Sequence, residues 1–322
     1  MDVLSDILSV MKLTGALYFR TALSSPSGVD LPSSENVSRF HYVHRGRCLA
    51  RVDGQSKPVA LVQGDLIIIT HGAAHTLSDP ADVQFYALDE VIKRSGFTGH
   101  GALTHGSAQA SYETQLICGH FAFDERANHV LLDAFPKFMH TKYYGRVSPT
   151  WLDDTLKVIS AELGTKQLGG DFIALRLSEI IFTQAVRYFV EASGAQNPGL
   201  AGFSDPYIRK ALEAIHTEPA KRWSVETLAR TAGLSRTAFA TRYTELIADT
   251  PLSYLTAWRL QLACHKLTDT KLAIIEIFTR FGNQSEAAFG RAFKRLFDIP
   301  PATLRKHSQR DKTIQYINNN SA

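Results

Sequence analysis

Two segments in the last third of the chain repeat one grammar: an apolar helix, a glycine turn, and a second helix opened by a polar residue. The first runs from Ser224 to Phe239, with Gly233 at the turn and Ser235 opening the second helix. The second runs from Leu272 to Arg295, with Gly282 at the turn and Ser285 in the opening position. A helix-turn-helix pair buries one face of its second helix and leaves the other free to enter a DNA major groove. Two such pairs about fifty positions apart suit two successive turns of one groove. Pro251 opens a stretch to Leu267 whose Tyr254, Leu255, Trp258 and Leu262 read as one helix joining the pairs.

The spacing divides each second helix into two faces. In the first, Ala238, Phe239, Tyr243 and Leu246 are expected to pack, and Arg236, Thr237, Ala240 and Thr241 to point outward. In the second, Ala288, Phe289, Phe293 and Leu296 are expected to pack, and Glu286, Ala287, Gly290, Arg291 and Lys294 to point outward. Arg291 can pair bidentately with guanine, Glu286 can accept from cytosine, and Thr237 and Thr241 can set methyl groups against thymine. The candidates for base contact are therefore Arg236, Thr237, Thr241, Glu286, Ala287, Gly290 and Arg291. Arg242, Lys294, Arg295, Arg305 and Lys306 are candidates for phosphate contact, which sets register and salt dependence.

Charge agrees with that reading. Between Asp205 and Lys312 there are 18 Lys/Arg against 11 Asp/Glu, a net of +7, while the remainder has 17 against 20, a net of −3. The basic excess sits where a polyanion partner would need it. The whole chain of 322 residues is 44% hydrophobic and 20% charged, with a mean hydropathy of −0.10, ordinary values for a globular protein of two domains. It has no run of 18 uncharged apolar residues and no basic stretch before an apolar one at its start. That argues against a membrane span or a secretory signal. Cys48, Cys118 and Cys264 form no disulfide framework and fit a reducing cytoplasm.

The first two hundred residues read differently. Residues 1 to about 20 are expected to be helical, with Val3, Leu4, Ile7, Leu8 and Met11 near one face. From Ala22 to about Ala122 come short strands and glycine turns: a hairpin turn at Val52–Gln55, an apolar strand at Leu66–Ile69, and strands at Gln84–Leu88 and Gln115–Phe121. Helices are expected at Trp151–Leu163 and from Asp171 to about Ala192, where Leu177, Ile181 and Phe182 either offer an interface or cover the sheet. Ser193–Gly199 is a linker signal, and Asp205 or Ser204 can cap a helix carrying Ile208, Leu212 and Ile215. Ser224 and Thr227 lie near a capping position without an acidic third residue.

The second half resembles the AraC/XylS family of bacterial transcriptional regulators. The likeness spans about Asp205 to Lys306 and is strongest over Ser285–Arg295 and Ile299–Arg305. Asn283, where an aromatic is usual, and Phe278, where a small residue is usual, depart from the pattern. The segments Phe40–Gly46, Gly64-Asp65, His71–Asp79 and Cys118–Asp124 resemble the cupin-type effector domain of one branch of that family, with Thr70 where a proline is usual. The resemblance implies a mixed α and β protein of two domains: a cupin-like β-barrel with flanking helices over 1–197, and an all-α double helix-turn-helix domain over 204–308. Residues 311–322 are expected to form a disordered tail. It further implies a cytoplasmic, promoter-binding regulator, an activator by the habit of the family. RNA polymerase would be a partner, a homodimer is a possible state, and an unidentified small-molecule or redox effector would act at the barrel.

Cupin enzymes hold a metal with histidines and a glutamate. His41 and His75 occupy ligand positions, but the glutamate is absent, which speaks against a complete triad and against an enzyme. Cys118 and His120 are two apart and share a strand face. With His75 and His41 they could form a Cys/His zinc site, pack without a metal, or make Cys118 a redox sensor, which needs a lowered pKa and access. His129, His140 and His216 have no evident partners in the sequence. A Gly-x-Ser-x-Gly elbow, a His-Glu-x-x-His motif, a P-loop and a dinucleotide fingerprint are all missing. Two rival readings stay open: a metal-dependent cupin enzyme, and a ligand-binding or scaffolding protein that does not bind DNA.

Overall fold

The computed structural model describes residues 2–11, 13–35, 37–98, 102–107, 113–124, 126, 129–142, 168–193, 196–282 and 285–309, with positions 154, 155, 158 and 161. The expected helix at 151–163 falls almost wholly, and the tail at 311–322 entirely, outside the described residues. The chain forms two compact units: one from Met1–Lys12, Arg126–Ala134 and Ser193–Ala322, the other from Leu13–Glu125 and Phe135–Ala192.

The β-rich unit contains β1 (Leu13–Ser24), β2 (Ser27–Leu31), β3 (Val37–Arg45), β4 (Arg47–Val52), β5 (Val59–Val62), β6 (Leu66–Ile69), β7 (His75–Asp79), β8 (Tyr86–Ala87), β9 (Ala102–Gly106), β10 (Glu113–Phe123) and β11 (Phe138–Thr141). They build a six-stranded sheet, in the order β11-β6-β3-β10-β1-β9, and a five-stranded sheet, in the order β5-β4-β7-β2-β8. Strand alternation sends one set of side chains from each sheet into a shared core. Val43, Ile67, Ile69, Leu116 and Cys118 come from the larger sheet; Val29, Leu31, Ala50, Val52, Leu61 and Leu77 come from the smaller.

The opposite face of β10 carries Phe121, which stacks on Phe40 at 5.0 Å. Phe182, from a long helix at Gly170–Ser193, meets Phe121 at 4.9 Å and Phe123 at 5.3 Å. Ile181 and Phe182 are therefore buried against the sheet, whereas Phe172 and Ile180 on the same helix are exposed.

Two local expectations change. The N-terminal helix α1 (Val3–Met11) goes no further than Met11, because Leu13–Ser24 pairs along its length with β10. Sheet hydrogen bonds made far along the chain outweigh local periodicity here. The expected strand at 84–88 shrinks to Tyr86–Ala87, and Leu88 opens α2 (Leu88–Ser95) with Asp89 and Glu90 in its first turn. The Val52–Gln55 turn forms as expected, with Gln55 N–H donating to Val52 O at 3.0 Å.

The helical unit takes α1 (Val3–Met11) and α3 (Val130–Asp133) from early in the chain. Numbering the long helix at Gly170–Ser193 as α4, it continues with α5 (Ala201–Ser204), α6 (Ile208–Thr217), α7 (Val225–Ala232), α8 (Arg236–Ile247), α9 (Pro251–Asp269), α10 (Ile274–Arg280), α11 (Glu286–Phe297) and a helix over 301–309. Among the described residues, no helix is long and apolar enough to cross a membrane.

Candidate functional site

Each helix-turn-helix is assembled by local chemistry that repeats at an interval of fifty. Ser235 and Ser285 cap α8 and α11, accepting from Ala238 N–H and Ala288 N–H, both at 3.3 Å. Phe239 and Phe289 are buried one turn later, and Tyr243 and Phe293 one turn beyond. Ala248 and Asp298 end the helices in the left-handed conformation. Pro251 and Pro301 then start the next helix.

Ahead of α8, Ser224 and Thr227 form a reciprocal capping box. Thr227 N–H donates to Ser224 Oγ at 3.2 Å and Ser224 N–H donates to Thr227 Oγ1 at 2.8 Å. The threonine hydroxyl does the work of the absent acidic residue. Ahead of α11, Glu276 accepts from Ala273 N–H at 2.8 Å.

The turn glycines differ in what they require. Gly233 has φ +75° and open space where a Cβ would stand. Gly282 has φ +76°, and a Cβ there would come within 2.5 Å of Ala220 O. The second turn thus presses on the loop that precedes the first helix-turn-helix. Arg259 of α9 fastens the same loop, donating to Pro219 O at 2.6 Å and to Lys221 O at 2.8 Å. Phe278, the unusual residue before the second turn, is buried and stacks on Phe289 at 5.9 Å. Asn283 lies outside the described residues.

Arg236, Thr237 and Thr241 are exposed on α8; Glu286, Ala287, Arg291, Lys294 and Arg295 are exposed on α11. Gly290 is half-buried, and Lys306 is exposed on the helix over 301–309. Ala238 and Ala288, expected to pack, are exposed instead. Both sit in the first turn, where the single core-facing position is taken by Phe239 or Phe289.

Three candidate cations have protein surroundings that the sequence did not reveal. Arg236 Nε lies 2.7 Å from Glu226 Oε1, an exposed pair of small energetic weight. Arg242 binds Asp205, with Nε 3.0 Å from Oδ2, and lies over the Tyr207 ring. The other Asp205 oxygen accepts from Tyr207 N–H and Ile208 N–H, both at 3.0 Å, so one carboxylate starts α6 and anchors α8. Burial alone would raise the Asp205 pKa, but Arg242 and the two backbone donors hold it below the ordinary value. Arg305 is half-buried, and its Nε and one Nη are buried without a hydrogen-bond partner among the described residues.

Behind these surfaces lies a buried polar chain missed in the sequence. Leu131 N–H donates to His129 Nδ1 at 3.0 Å, which leaves the His129 proton on Nε2. That Nε2 lies 3.2 Å from Tyr254 Oη, and Tyr254 Oη lies 2.8 Å from His216 Nε2. The order of donors is then fixed: His129 to Tyr254 and Tyr254 to His216, whose Nδ1–H ends the chain without a hydrogen-bond partner among the described residues, 3.6 Å from Asp6 Oδ2. Burial lowers both histidines to about 3, so both are neutral near pH 7. Gln261 Nε2 adds a bond to Arg126 O at 3.1 Å. His129 and His216 thus have partners after all. So does His140, 3.2 Å from Asp65 Oδ2. Partners 125 positions apart leave no mark in a linear pattern.

In the β-rich unit, β3, β7 and β10 bring three candidates together. His41 Nδ1 lies 3.0 Å from Cys118 Sγ, and His41 Nε2 lies 2.8 Å from His75 Nε2. His75 Nδ1 donates to Ala73 O at 3.1 Å, so protons run from the Cys118 thiol to His41, from His41 to His75 and from His75 to the backbone. All three side chains are about 2% exposed.

The expected zinc site is overturned by this arrangement. The His41 imidazole stands between Cys118 and His75, so their donor atoms face opposite edges of one ring rather than a common point. His120 is half-buried, opposite Arg39 on β3, and does not join the cluster. Among the described residues, no three His, Cys, Asp or Glu side chains could hold a metal ion. Burial drives His41 well below its usual value, lowers His75 to about 4 and raises the Cys118 thiol to about 12. Cys118 has neither the lowered pKa nor the access that a redox sensor needs.

Residues 2–191 match the Cupin family and residues 228–307 match the Helix-turn-helix domain family. Fold and surfaces define a two-domain DNA-binding regulator with an effector-sensing, β-rich N-terminal region. An AraC-like transcription regulator from Streptomyces lividans is 32% identical over 311 residues, which is 95% of this chain and 99% of that one. Another, from Streptomyces antibioticus, is 30% identical over 310 residues, with the same coverage of 95% and 99%. The HTH-type transcriptional regulator AlkR of Acinetobacter baylyi is 33% identical over 248 residues, 76% of this chain and 80% of its own. The chain belongs to the AraC-like family of transcription regulators, and it binds DNA sequence-specifically through the helix-turn-helix region.

Proposed function

We propose that the protein reads promoter DNA with α8 and α11 in two successive major-groove segments, under the control of an effector bound in the cupin region. The observation that carries this reading is the fifty-residue repeat, which exposes Thr237 and Thr241 on α8 and Ala287 and Arg291 on α11 at equivalent positions. The 19 residues of α9 join the two readers. A helix of that length spans about 28 Å, close to the ~34 Å advance of one DNA turn. Arg291 and Glu286 supply directional base readout; Lys294, Arg295 and Lys306 supply phosphate contact. Arg236, Arg242 and Arg305 reach DNA by exchanging or extending their protein surroundings.

On this reading the two sheets are the walls of a cupin barrel that senses and does not catalyse. The neutral, hydrogen-bonded His41–His75–Cys118 cluster is a structural pin. The regulator works in the cytoplasm as an activator that contacts RNA polymerase. It dimerises through the exposed apolar side chains of α4. The Tyr254 chain holds α1 and α3 within the DNA-binding unit, so a change in either early segment reaches the readers.

The test is selection of genomic fragments by the purified protein, repeated with Arg291→Ala and Lys294→Ala. A defined motif is expected, with Arg291→Ala relaxing base preference at one position and Lys294→Ala weakening all sequences alike. Failure to enrich any motif would remove the promoter-reading function.

A further inference from the structure

The two sheets meet at a seam where their edge strands, β8 and β9, run close to β2 and α2 bridges them. A cavity of about 660 Å³ opens there. That volume lies within the usual range for small-molecule sites.

Three of its lining residues reach it from core-facing positions. Ser27 shares a strand face with Val29 and Leu31, which belong to the core between the sheets. His105 shares a face with Leu103, also in that core. Tyr86 packs on the same core. Tyr86 and His105 meet edge to face at 5.3 Å. The Arg94 guanidinium covers the Tyr86 ring at 4.3 Å.

Charge here is already matched. Arg94 donates to Glu90 one turn back on α2, and Asp82 stands exposed on the lining. The lining thus holds one arginine, already paired with Glu90, and one carboxylate, so the cavity has no surplus positive charge to attract an anion. What remains for recognition is neutral. Burial keeps His105 below its usual pKa; its ring N–H is held by the Gly28 backbone carbonyl, so the neutral imidazole offers its other nitrogen as an acceptor. Ser27 is 3% exposed, and its hydroxyl has no hydrogen-bond partner among the described residues. A buried hydroxyl without a partner is destabilising, and a strand can lose it by a change to alanine. Its presence in the wall points to a ligand that completes it.

We propose that this seam cavity is the effector site, and that it takes a small neutral molecule with an aromatic or other apolar body and a hydroxyl group. The hydroxyl donates to the free His105 nitrogen and accepts from Ser27, so each group supplies what the other side lacks. The apolar body lies against Tyr86. The assignment rests on the sensor reading above and names the site and ligand class for it.

The test is calorimetric titration of the full-length protein with three probes of one shape: 4-methylphenol, toluene and 4-methylbenzoate. The expected result is saturable binding of 4-methylphenol, with toluene and 4-methylbenzoate each at least about tenfold weaker. Ser27→Ala should weaken 4-methylphenol about three- to tenfold, the range for one hydrogen bond, and should leave unchanged or raise the melting temperature of the unliganded protein. A merely structural serine would lower the melting temperature on change to alanine and leave affinity alone. Equal binding of toluene, tighter binding of 4-methylbenzoate, an unchanged affinity in Ser27→Ala, or no binding of 4-methylphenol each overturns the proposal. DNA selection is measured on the same preparation. A protein that selects a motif but ignores 4-methylphenol refutes the cavity assignment alone, and one that binds 4-methylphenol but selects no motif refutes the regulator reading alone.

Discussion

His129 Nε2 lies 3.2 Å from the hydroxyl of Tyr254, joining a loop in the first half of the chain to the helix between the two DNA readers. His216 completes the pair on the other side of that hydroxyl. Each imidazole is held at about 3 in the folded protein, against about 6.5 in an unfolded chain. Between those values the unfolded chain binds protons that the folded one refuses, so acid favours unfolding. Stability is full above about pH 6.5 and falls as pH drops toward about 3, at about 1.4 kcal/mol per pH unit for each histidine. His41 and His75, lowered in the same direction, act with the same sign. Urea unfolding from pH 7 to pH 4 should show this decline, and His216→Gln should flatten it by about one proton. An unchanged slope in that variant would mean that His216 is charged in the native state.

Removing only the Tyr254 oxygen should be informative in a different way. Tyr254→Phe keeps the ring against His129 and His216 but strands two buried imidazole nitrogens. The expected loss is about 1–3 kcal/mol, measured as a lower urea midpoint with an unchanged m-value.

The two turn glycines should not tolerate alanine equally. Gly233→Ala meets only backbone strain, about 1–2 kcal/mol for a left-handed residue. Gly282→Ala adds a collision with Ala220 O and should cost clearly more, with a matching loss of DNA affinity as the second reader shifts. Equal unfolding midpoints for the two variants would refute the close approach.

Salt dependence separates the exposed cations from the engaged ones. Lys294→Ala should lower the slope of log affinity against log salt by about one. Arg242→Ala should instead strand the Asp205 carboxylate at the start of α6, and so lower stability as well as affinity. A slope change without a stability change in Arg242→Ala would make it a plain phosphate contact.

Thiol labelling tests the packing of both units at once. Cys48, Cys118 and Cys264 are all buried, and burial raises the Cys118 thiol to about 12. Ellman's reagent should label none of them quickly in the native protein and all of them in urea. Fast labelling of Cys118 would reopen a redox role.

The second half of the chain was legible because its signals are local. Ser235, Gly233 and Phe239 lie within one or two turns of each other, and the same holds for Ser285, Gly282 and Phe289. Capping, left-handed turns and helical spacing act at that range. The first half was harder to read, because β1 is a strand only through partners about a hundred positions away on β10. The zinc expectation failed on one unreadable detail: which residue stands in the middle. Cys118, His41 and His75 do converge, but a strand pattern gives faces, not the order of two rings and a thiol along a line. The seam cavity drew no expectation either, since Ser27, Tyr86 and His105 belong to three strands that no sequence period connects.

The cupin match ends at residue 191, yet α1 and the segment Arg126–Ala134, both inside it, belong to the compact unit that reads DNA. Such a regulator is not two beads on a string. A fragment beginning at Ser193 would hold both readers but lack Asp6 and His129, leaving His216 and Tyr254 with empty sockets. Recombination that grafts a new sensor onto these readers therefore has to respect three splice points in the early chain as well as the obvious one. Lineages that trade input domains freely are expected to have loosened this weave first.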